Sequence, residues 1–277
     1  MSFPELPYDV VESILIHAAS RASTALTLCL VASWVRNIAV PHLFHTVVLD
    51  SYEKHLSFLE NLRLARPQPS YGTAAPATIP LGQHLRHLYV DSSGADMHAM
   101  YAQCPRLESL ALPASRLIAF ATSAPRVFPR LRSLTVLTHG PSSVAPALYA
   151  NPERVRPFAG ISHLQFRALP TNPLPFEGMP LLTHLAQPLA APGVLPHEFD
   201  DLLARCAALE MLVLTASVQP EPDTACRLLA VVFRAHEKRM YVVPRTASSP
   251  AEWRREVDHG GTSVWERAAR FRLDLSL

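Results

Sequence analysis

Six short segments in the middle of the chain share one pattern of hydrophobic and polar positions. Each begins with leucine or isoleucine, has a polar residue second and has leucine fourth. Successive side chains of a strand point to opposite faces, so this pattern predicts short strands that place their leucines in a core. The segments start 22, 24, 30, 21 and 27 residues apart, and they are 85–90, 107–112, 131–136, 161–166, 182–187 and 209–214.

The residues before these segments repeat as well. The position three before the start is apolar in five of the six, as Cys104, Phe128, Phe158, Met179 and Cys206. Leucine-rich repeats have a similar leucine spacing and a length of about 20–29 residues. The fold class predicted is therefore α/β: an irregular, leucine-rich-repeat-like β/α solenoid in which the upstream apolar residue anchors the turn into each strand.

The intervals between these segments are uneven. Helical spacing of apolar residues predicts helices over 96–103, 198–208 and 224–236, and 239–243 is predicted as a further strand. Proline-broken loops are expected at 138–160 and 169–179. The tail, 249–277, contains two predicted helices around Trp253 and Trp265, which are expected to cap the open end of the array.

The first 49 residues form a separate predicted module. Pro7 and Asp9 suit the start of a helix, and two further helices are expected between 25 and 40, ending before Pro41. A strand is predicted over 44–49 and a helix over 52–65, and a linker or long loop is predicted at 67–83 because it is rich in proline, alanine and threonine. The predicted division is a helical module at 1–49 and a repeat array at 50–277.

Composition excludes several classes of protein. Hydrophobic residues make up 49% of the chain and charged residues 17%, which excludes a wholly disordered protein. The formal net charge is only +2, so neither nucleic acid nor a membrane is expected as a partner. No apolar run approaches the ~18 residues of a membrane helix, and no basic segment precedes the first apolar residues. We therefore expect a cytoplasmic or nuclear location, with reduced cysteines.

Candidate chemistry is sparse. The 13 histidines fall in no metal-ligand spacing, and the chain lacks a P-loop, a GxSxG motif and a GxGxxG motif. The histidines are expected at the surface or in helix caps, and Cys104 and Cys206 are expected in the core. We therefore predict no catalytic residue, no metal, no cofactor and no enzyme activity. The enzyme alternative would return if histidines and acids clustered in one pocket.

The N-terminal segment resembles an F-box, a helical module of about 40–50 residues. The resemblance lies in the start Leu6-Pro7-x-Asp9-Val10, the pair Ile14-Leu15, the spacing Val31-x-x-Trp34 and the closing Leu43-Phe44. It covers Leu6 to about Leu49. The whole layout resembles the F-box (F-box-like) proteins with degenerate leucine-rich repeats that are abundant in mushroom-forming fungi. The resemblance implies a short N-terminal F-box module ahead of the repeats.

The resemblance also implies a partner and a function. In this family the module docks a Skp-type adaptor, and through it a cullin ubiquitin ligase, while the repeats bind a target protein. The residues implied at the adaptor contact are Leu6, Pro7, Ile14, Leu15, Leu30, Val31 and Trp34. A leftover apolar patch on so small a helical trio is itself expected to be a partner site. The alternative is a leucine-rich-repeat scaffold without ubiquitin chemistry, in which the helices are a structural cap.

Overall fold

A single parallel sheet of eight strands, in the same order as the chain, organises the protein. The computed structural model describes residues 6–64, 80–91, 100–123, 128–137, 154–169, 176–191, 193–217, 222–246, 249–259 and 263–274. Together with its helices, this sheet confirms the predicted α/β class. The strands are β1 (Thr46–Leu49), β2 (His87–Val90), β3 (Ser109–Leu112), β4 (Ser133–Val136), β5 (His163–Phe166), β6 (His184–Pro188), β7 (Met211–Ala216) and β8 (Met240–Pro244).

Helices precede, connect and follow the strands. They are α1 (Tyr8–Ala19), α2 (Ala22–Leu28), α3 (Ser33–Leu43), α4 (Tyr52–Leu64), α5 (Leu117–Ser123), α6 (Asp200–Arg205), α7 (Pro222–His236), α8 (Pro250–His259) and α9 (Val264–Asp274). Pro41 was expected to end α3 but lies in its last turn, where Phe44 N–H still donates to Val40 C=O at 3.2 Å. The helix tolerates the proline there because only one backbone donor of the turn is lost.

The six patterned segments supply β2 to β7, and their fourth-position leucines stand directly opposite one another across the sheet. These are Leu88, Leu110, Leu134, Leu164, Leu185 and Leu212. The upstream anchors are buried, and each accepts a backbone hydrogen bond from the first residue of its segment. Leu107 N–H donates to Cys104 C=O at 3.3 Å, for example, and Leu209 N–H donates to Cys206 C=O at 2.9 Å.

The two faces of the sheet pack against different layers. On what we call the core face, Leu88 and Val90 join the main hydrophobic cluster with the connecting segments. On the second face, Tyr89 belongs to a separate cluster with Ala111 and Trp253. Alternation along each strand explains the division, because neighbouring side chains point to opposite faces.

The C-terminal helices lie across the second face. Helix α8 contacts β1 and β2, where the ring centroid of Trp253 lies 5.5 Å from that of Tyr89. Helix α9 contacts β7 and β8, and its Val264 and Ala268 pack with Ala186, Val213, Tyr241 and Val243. This placement differs from the expected cap at the end of the array. The second face carries apolar side chains at both ends, and covering them removes apolar surface from water.

Several predicted segments fall partly outside the described residues. Of the linker at 67–83, residues 80–83 are described and include a 3-10 turn, Leu81–Gln83. Of the loops at 138–160 and 169–179, the described parts contain the 3-10 turns Arg156–Phe158 and Phe176–Gly178. Residues 96–99 of the helix predicted over 96–103 are also outside. Within the described ranges, no helix is long and apolar enough to span a lipid bilayer.

Candidate docking surface on the N-terminal helices

Helices α1, α2 and α3 pack on one another around a very small core. Its buried members are Ala19, Ala25 and Ala39, with Leu28, Cys29 and Leu43 partly buried around them. Alanine side chains let the helices approach closely, but they leave little room for larger groups. The large apolar side chains of these helices therefore remain largely outside their own core.

The consequence is a concentration of exposed apolar side chains. Of the seventeen large hydrophobic residues that are exposed among the described residues, nine lie between Leu6 and Trp34. Leu30 is the most exposed of them, at 82%. Isolated exposed hydrophobic residues are ordinary, whereas a concentration of them is typical of an interaction surface. We call these nine the N-terminal apolar surface: Leu6, Tyr8, Val10, Ile14, Ile16, Leu26, Leu30, Val31 and Trp34.

One ring contact and one depression shape this surface. The ring of Tyr8 lies 6.0 Å from the ring of Trp34, so the start of α1 and the start of α3 are side by side. Along α1, Val10 and Ile14 line a shallow depression of about 520 Å³ together with His17. The depression is open to solvent and is lined mainly by apolar atoms, which a partner side chain could cover.

The turn between α2 and α3 holds its apolar residues outward. Leu30 N–H donates to Thr27 C=O at 3.0 Å, and Val31 N–H donates to Leu28 C=O at 3.1 Å. The Arg36 guanidinium donates through Nε to Cys29 C=O at 2.9 Å and ties the turn to α3. The backbone of the turn is thus satisfied internally, while the side chains of Leu30 and Val31 face solvent.

Six of the seven residues implied by the resemblance are exposed, and Leu15 is half-buried. The adaptor-contact residues that the resemblance implies do not include Tyr8, Val10, Ile16 and Leu26, which are also part of the surface. Helical spacing alone places Val10 on a packed helix face. The alanine content of the three helices was the signal that could have identified Val10 as exposed, because a core of alanines cannot cover a full apolar stripe.

Outside this surface, one cleft contains a cluster of two histidines and an acid, His42, His45 and Asp258. The Asp258 carboxylate accepts hydrogen bonds from the hydroxyl of Thr46 and, at 3.1 Å, from Nε of Arg254. Among the described residues, neither histidine hydrogen-bonds this carboxylate, and no group of three histidine, cysteine or acidic residues is placed to hold a metal. The cluster therefore lacks the paired groups of general acid–base catalysis.

Several histidines expected at the surface are instead covered. His163 and His184 stack at 4.3 Å, and Trp265 of α9 lies against both, 5.4 and 5.5 Å away. Burial, with a smaller contribution from His184, lowers the pKa of His163 to about 4. The covering helices could not be foreseen from the strand pattern.

The half-buried His87 gives a prediction for acid stability. Burial, and then the neighbouring His45 ring at 4.8 Å, lowers the pKa of His87 to about 4. In the unfolded chain this imidazole takes a proton near pH 6.5, whereas in the folded protein it stays neutral. Its contribution to stability is therefore complete above about pH 6.5 and is lost progressively as the pH falls towards 4. When the pH is lowered from 7.5 to 5, the free energy of unfolding of His87→Gln is expected to fall by about 2 kcal/mol less than that of the wild type.

This difference is measured by urea unfolding at the two pH values, with His197→Gln as the control. His197 is exposed, so its replacement is expected to leave the acid sensitivity of the wild type unchanged. Equal acid sensitivity in the wild type and His87→Gln would contradict the burial of a neutral His87.

Comparison with models of known protein families found no match. Comparison with curated proteins also found no match.

Proposed function

We propose that the protein is the substrate-recognition subunit of a Skp–cullin–F-box ubiquitin ligase, and that α1–α3 dock the Skp-type adaptor. The observation that carries this proposal is the N-terminal apolar surface on three helices whose own core is built from alanines. Burying one large apolar side chain contributes roughly 1.5–3 kcal/mol, so several of them together could hold a partner. The F-box-like order of Leu6-Pro7, Ile14-Leu15 and Trp34 points to this adaptor as the partner.

The proposed role is non-enzymatic and works by proximity. The adaptor links the chain to the cullin, and the rest of the chain holds a target protein near the enzyme that carries ubiquitin. Positioning two reactants raises the rate of their reaction without a catalytic group on the scaffold. The proposal therefore asks for no cofactor and no metal, and it places the protein in the cytoplasm, the nucleus or both.

In this proposal the sheet is an irregular leucine-rich-repeat-like solenoid. Support comes from the leucines that align strand by strand and from the buried residue that begins the turn before each of five strands. The module at 1–49 and the array at 50–277 are the corresponding units, with α8 and α9 folded back on the sheet instead of extending past its end.

The target surface that we propose is a row of polar residues just before the strands. Their backbones continue the ladder: Glu108 N–H donates to Arg86 C=O at 2.7 Å, and Glu210 N–H donates to Thr183 C=O at 2.8 Å. The second face itself is occupied by α8 and α9, so a target could reach it only if they moved. The polar row is Arg86, Glu108, Arg132, Ser162, Thr183 and Glu210.

The test is a pull-down of the intact chain with a purified Skp-type adaptor. The double variant Ile14→Asp, Trp34→Ala changes two exposed positions of the N-terminal apolar surface, so it is expected to fold and to lose binding. The matched control is Leu228→Asp, Tyr52→Ala, which makes the same kinds of change at exposed positions outside that surface. This control is expected to bind like the wild type.

Failure of the folded wild-type chain to bind the adaptor would overturn the proposal. It would favour the alternative of a leucine-rich-repeat-type interaction scaffold with a structural helical cap. Equal loss of binding in the two double variants would also count against it, since the interaction would then not depend on the N-terminal apolar surface. Circular dichroism of each variant shows whether the fold is retained.

A further inference from the structure

A cleft of about 920 Å³ lies where three distant parts of the chain meet. The turn between α1 and α2 contributes Arg21, the start of β1 contributes Thr46, and α8 contributes Arg255. Clefts of roughly 300–1,000 Å³ are the usual size of small-ligand sites. This cleft is separate from the N-terminal apolar surface, and a ligand could bind in it whether or not that surface docks an adaptor.

The charges in the cleft are strongly unequal. Four guanidinium groups face it, from Arg21, Arg86, Arg254 and Arg255, against the single carboxylate of Asp258. Clefts lined by one sign of charge focus the electrostatic field and attract ligands of the opposite sign. The local positive charge contrasts with the near-neutral chain, whose formal net charge is +2.

Two of these arginines are already paired. Arg86 donates to Glu108 at 2.9 Å, and Arg254 donates to Asp258 at 3.1 Å. In the part of the chain that the structure describes, Arg21 and Arg255 form no ion pair. The side chains of Arg21 and Arg255 are also exposed, so both are free to turn towards a ligand. Two unpaired positive charges thus border one cleft.

The remaining polar groups suit an oxyanion. Ser23 places a hydroxyl group at the rim beside Arg21, whereas the Ser20 hydroxyl already donates to His17 C=O at 2.7 Å. Burial lowers the pKa of His45, and Arg86 lowers it further, so the arginines and not this imidazole supply the positive charge of the cleft. Hydroxyl and guanidinium donors together resemble the donor sets that bind phosphate oxygens.

We propose that this cleft binds a phosphate-bearing ligand. A phosphate monoester has a charge of about −1.5 to −2 at pH 7, which matches the two unpaired guanidinium groups, whereas a single carboxylate would leave one of them uncompensated. The planar guanidinium also matches two phosphate oxygens at once. The lining of the cleft comes from α1–α2, β1 and α8. A bound ligand therefore links the N-terminal helices to α8.

The test is a calorimetric titration of the intact chain at fixed ionic strength. Inorganic pyrophosphate represents a free phosphate compound, and a phosphoserine peptide, compared with its unphosphorylated form, represents a phosphorylated protein. The double variant Arg21→Ala, Arg255→Ala removes the unpaired cations. The control, Arg63→Ala, Arg130→Ala, removes two exposed arginines outside the cleft and gives the same net charge.

We expect the wild type and the control to bind at least one phosphate probe with equal affinity, and the cleft variant to bind it about tenfold or more weakly. Tighter binding of the phosphopeptide would assign the site to a phosphorylated protein, and tighter binding of pyrophosphate to a free phosphate compound. Absence of binding by both probes to the folded wild type would overturn the proposal. Equal weakening in both double variants would overturn it as well, because the effect would then reflect net charge alone.

Discussion

Phe120→Ala is expected to lower the free energy of unfolding by about 3–5 kcal/mol. Phe120 is fully buried in α5, on the core face of the sheet. Its ring centroid lies 5.0 Å from that of Tyr101 and 5.6 Å from those of Phe128 and Phe158. Truncation removes the transfer energy of the ring, leaves a cavity and breaks three aromatic contacts. Urea unfolding followed by circular dichroism measures the change.

The control for this experiment is Thr122→Ala in the same helix. Thr122 is exposed, and its hydroxyl donates only to the helix backbone, to Ile118 C=O at 3.0 Å. Its replacement is expected to change the stability by less than about 0.5 kcal/mol. Similar losses in the two variants would contradict the placement of the aromatic cluster at the centre of the core.

Glu256→Leu is expected to destabilise the protein by about 3–5 kcal/mol. The carboxylate of Glu256, on α8, accepts a hydrogen bond from Arg167 at 2.6 Å, and both side chains are more than nine-tenths buried. Burial lowers the pKa of the nearby Arg267, and Glu256 opposes this shift. Removing the carboxylate takes its negative charge away from the guanidinium groups of Arg167 and Arg267. Arginine does not release its proton, so the free-energy cost of burying these positive charges remains.

Replacing the arginine of the pair, in Arg167→Met, is expected to lower the free energy of unfolding less than Glu256→Leu does. In Arg167→Met the remaining carboxylate can take up a proton, because burial already raises the pKa of Glu256. The double variant Arg167→Met, Glu256→Leu is expected to be more stable than Glu256→Leu alone, since it no longer buries Arg167 unpaired. Lys54→Ala, which removes an exposed pair with Asp50 at 2.6 Å, is the control and should cost less than about 0.5 kcal/mol.

Chemical denaturation of these four variants at pH 7 measures the differences. If Glu256→Leu were no more destabilising than Lys54→Ala, the buried ion pair would not hold α8 on the second face.

The local sequence pattern predicted the strands well, because the apolar and polar positions within each strand show which of its side chains are buried. The leucines of 85–90 and of the five segments like it occupy the core face, and the paired register follows from stacking the same pattern repeatedly. The helix over 52–65 ends at Leu64 in the structure, one residue early, which is within the usual uncertainty of helix ends.

Long-range placement could not be predicted in the same way. Nothing in the sequence around Trp253 and Val264 says which surface their apolar sides meet, since the complementary residues, Tyr89 and Val213, lie far away in the chain. The partial burial of His87 follows from the placement of these helices, so the sequence did not predict it either. At the N-terminus, periodicity located the apolar residues of α1, but only the packed structure shows that Ile14 faces solvent.

The central claim is that the N-terminal apolar surface is a docking surface for a Skp-type adaptor. Amide hydrogen exchange of the intact chain, with and without saturating adaptor, tests it most directly. We expect protection to increase in α1 and in the turn and helix from Leu28 to Leu43, and the sheet from β2 to β8 to be unchanged. Protection confined to the sheet or to α8 and α9, or no change at all in a folded chain, would contradict it.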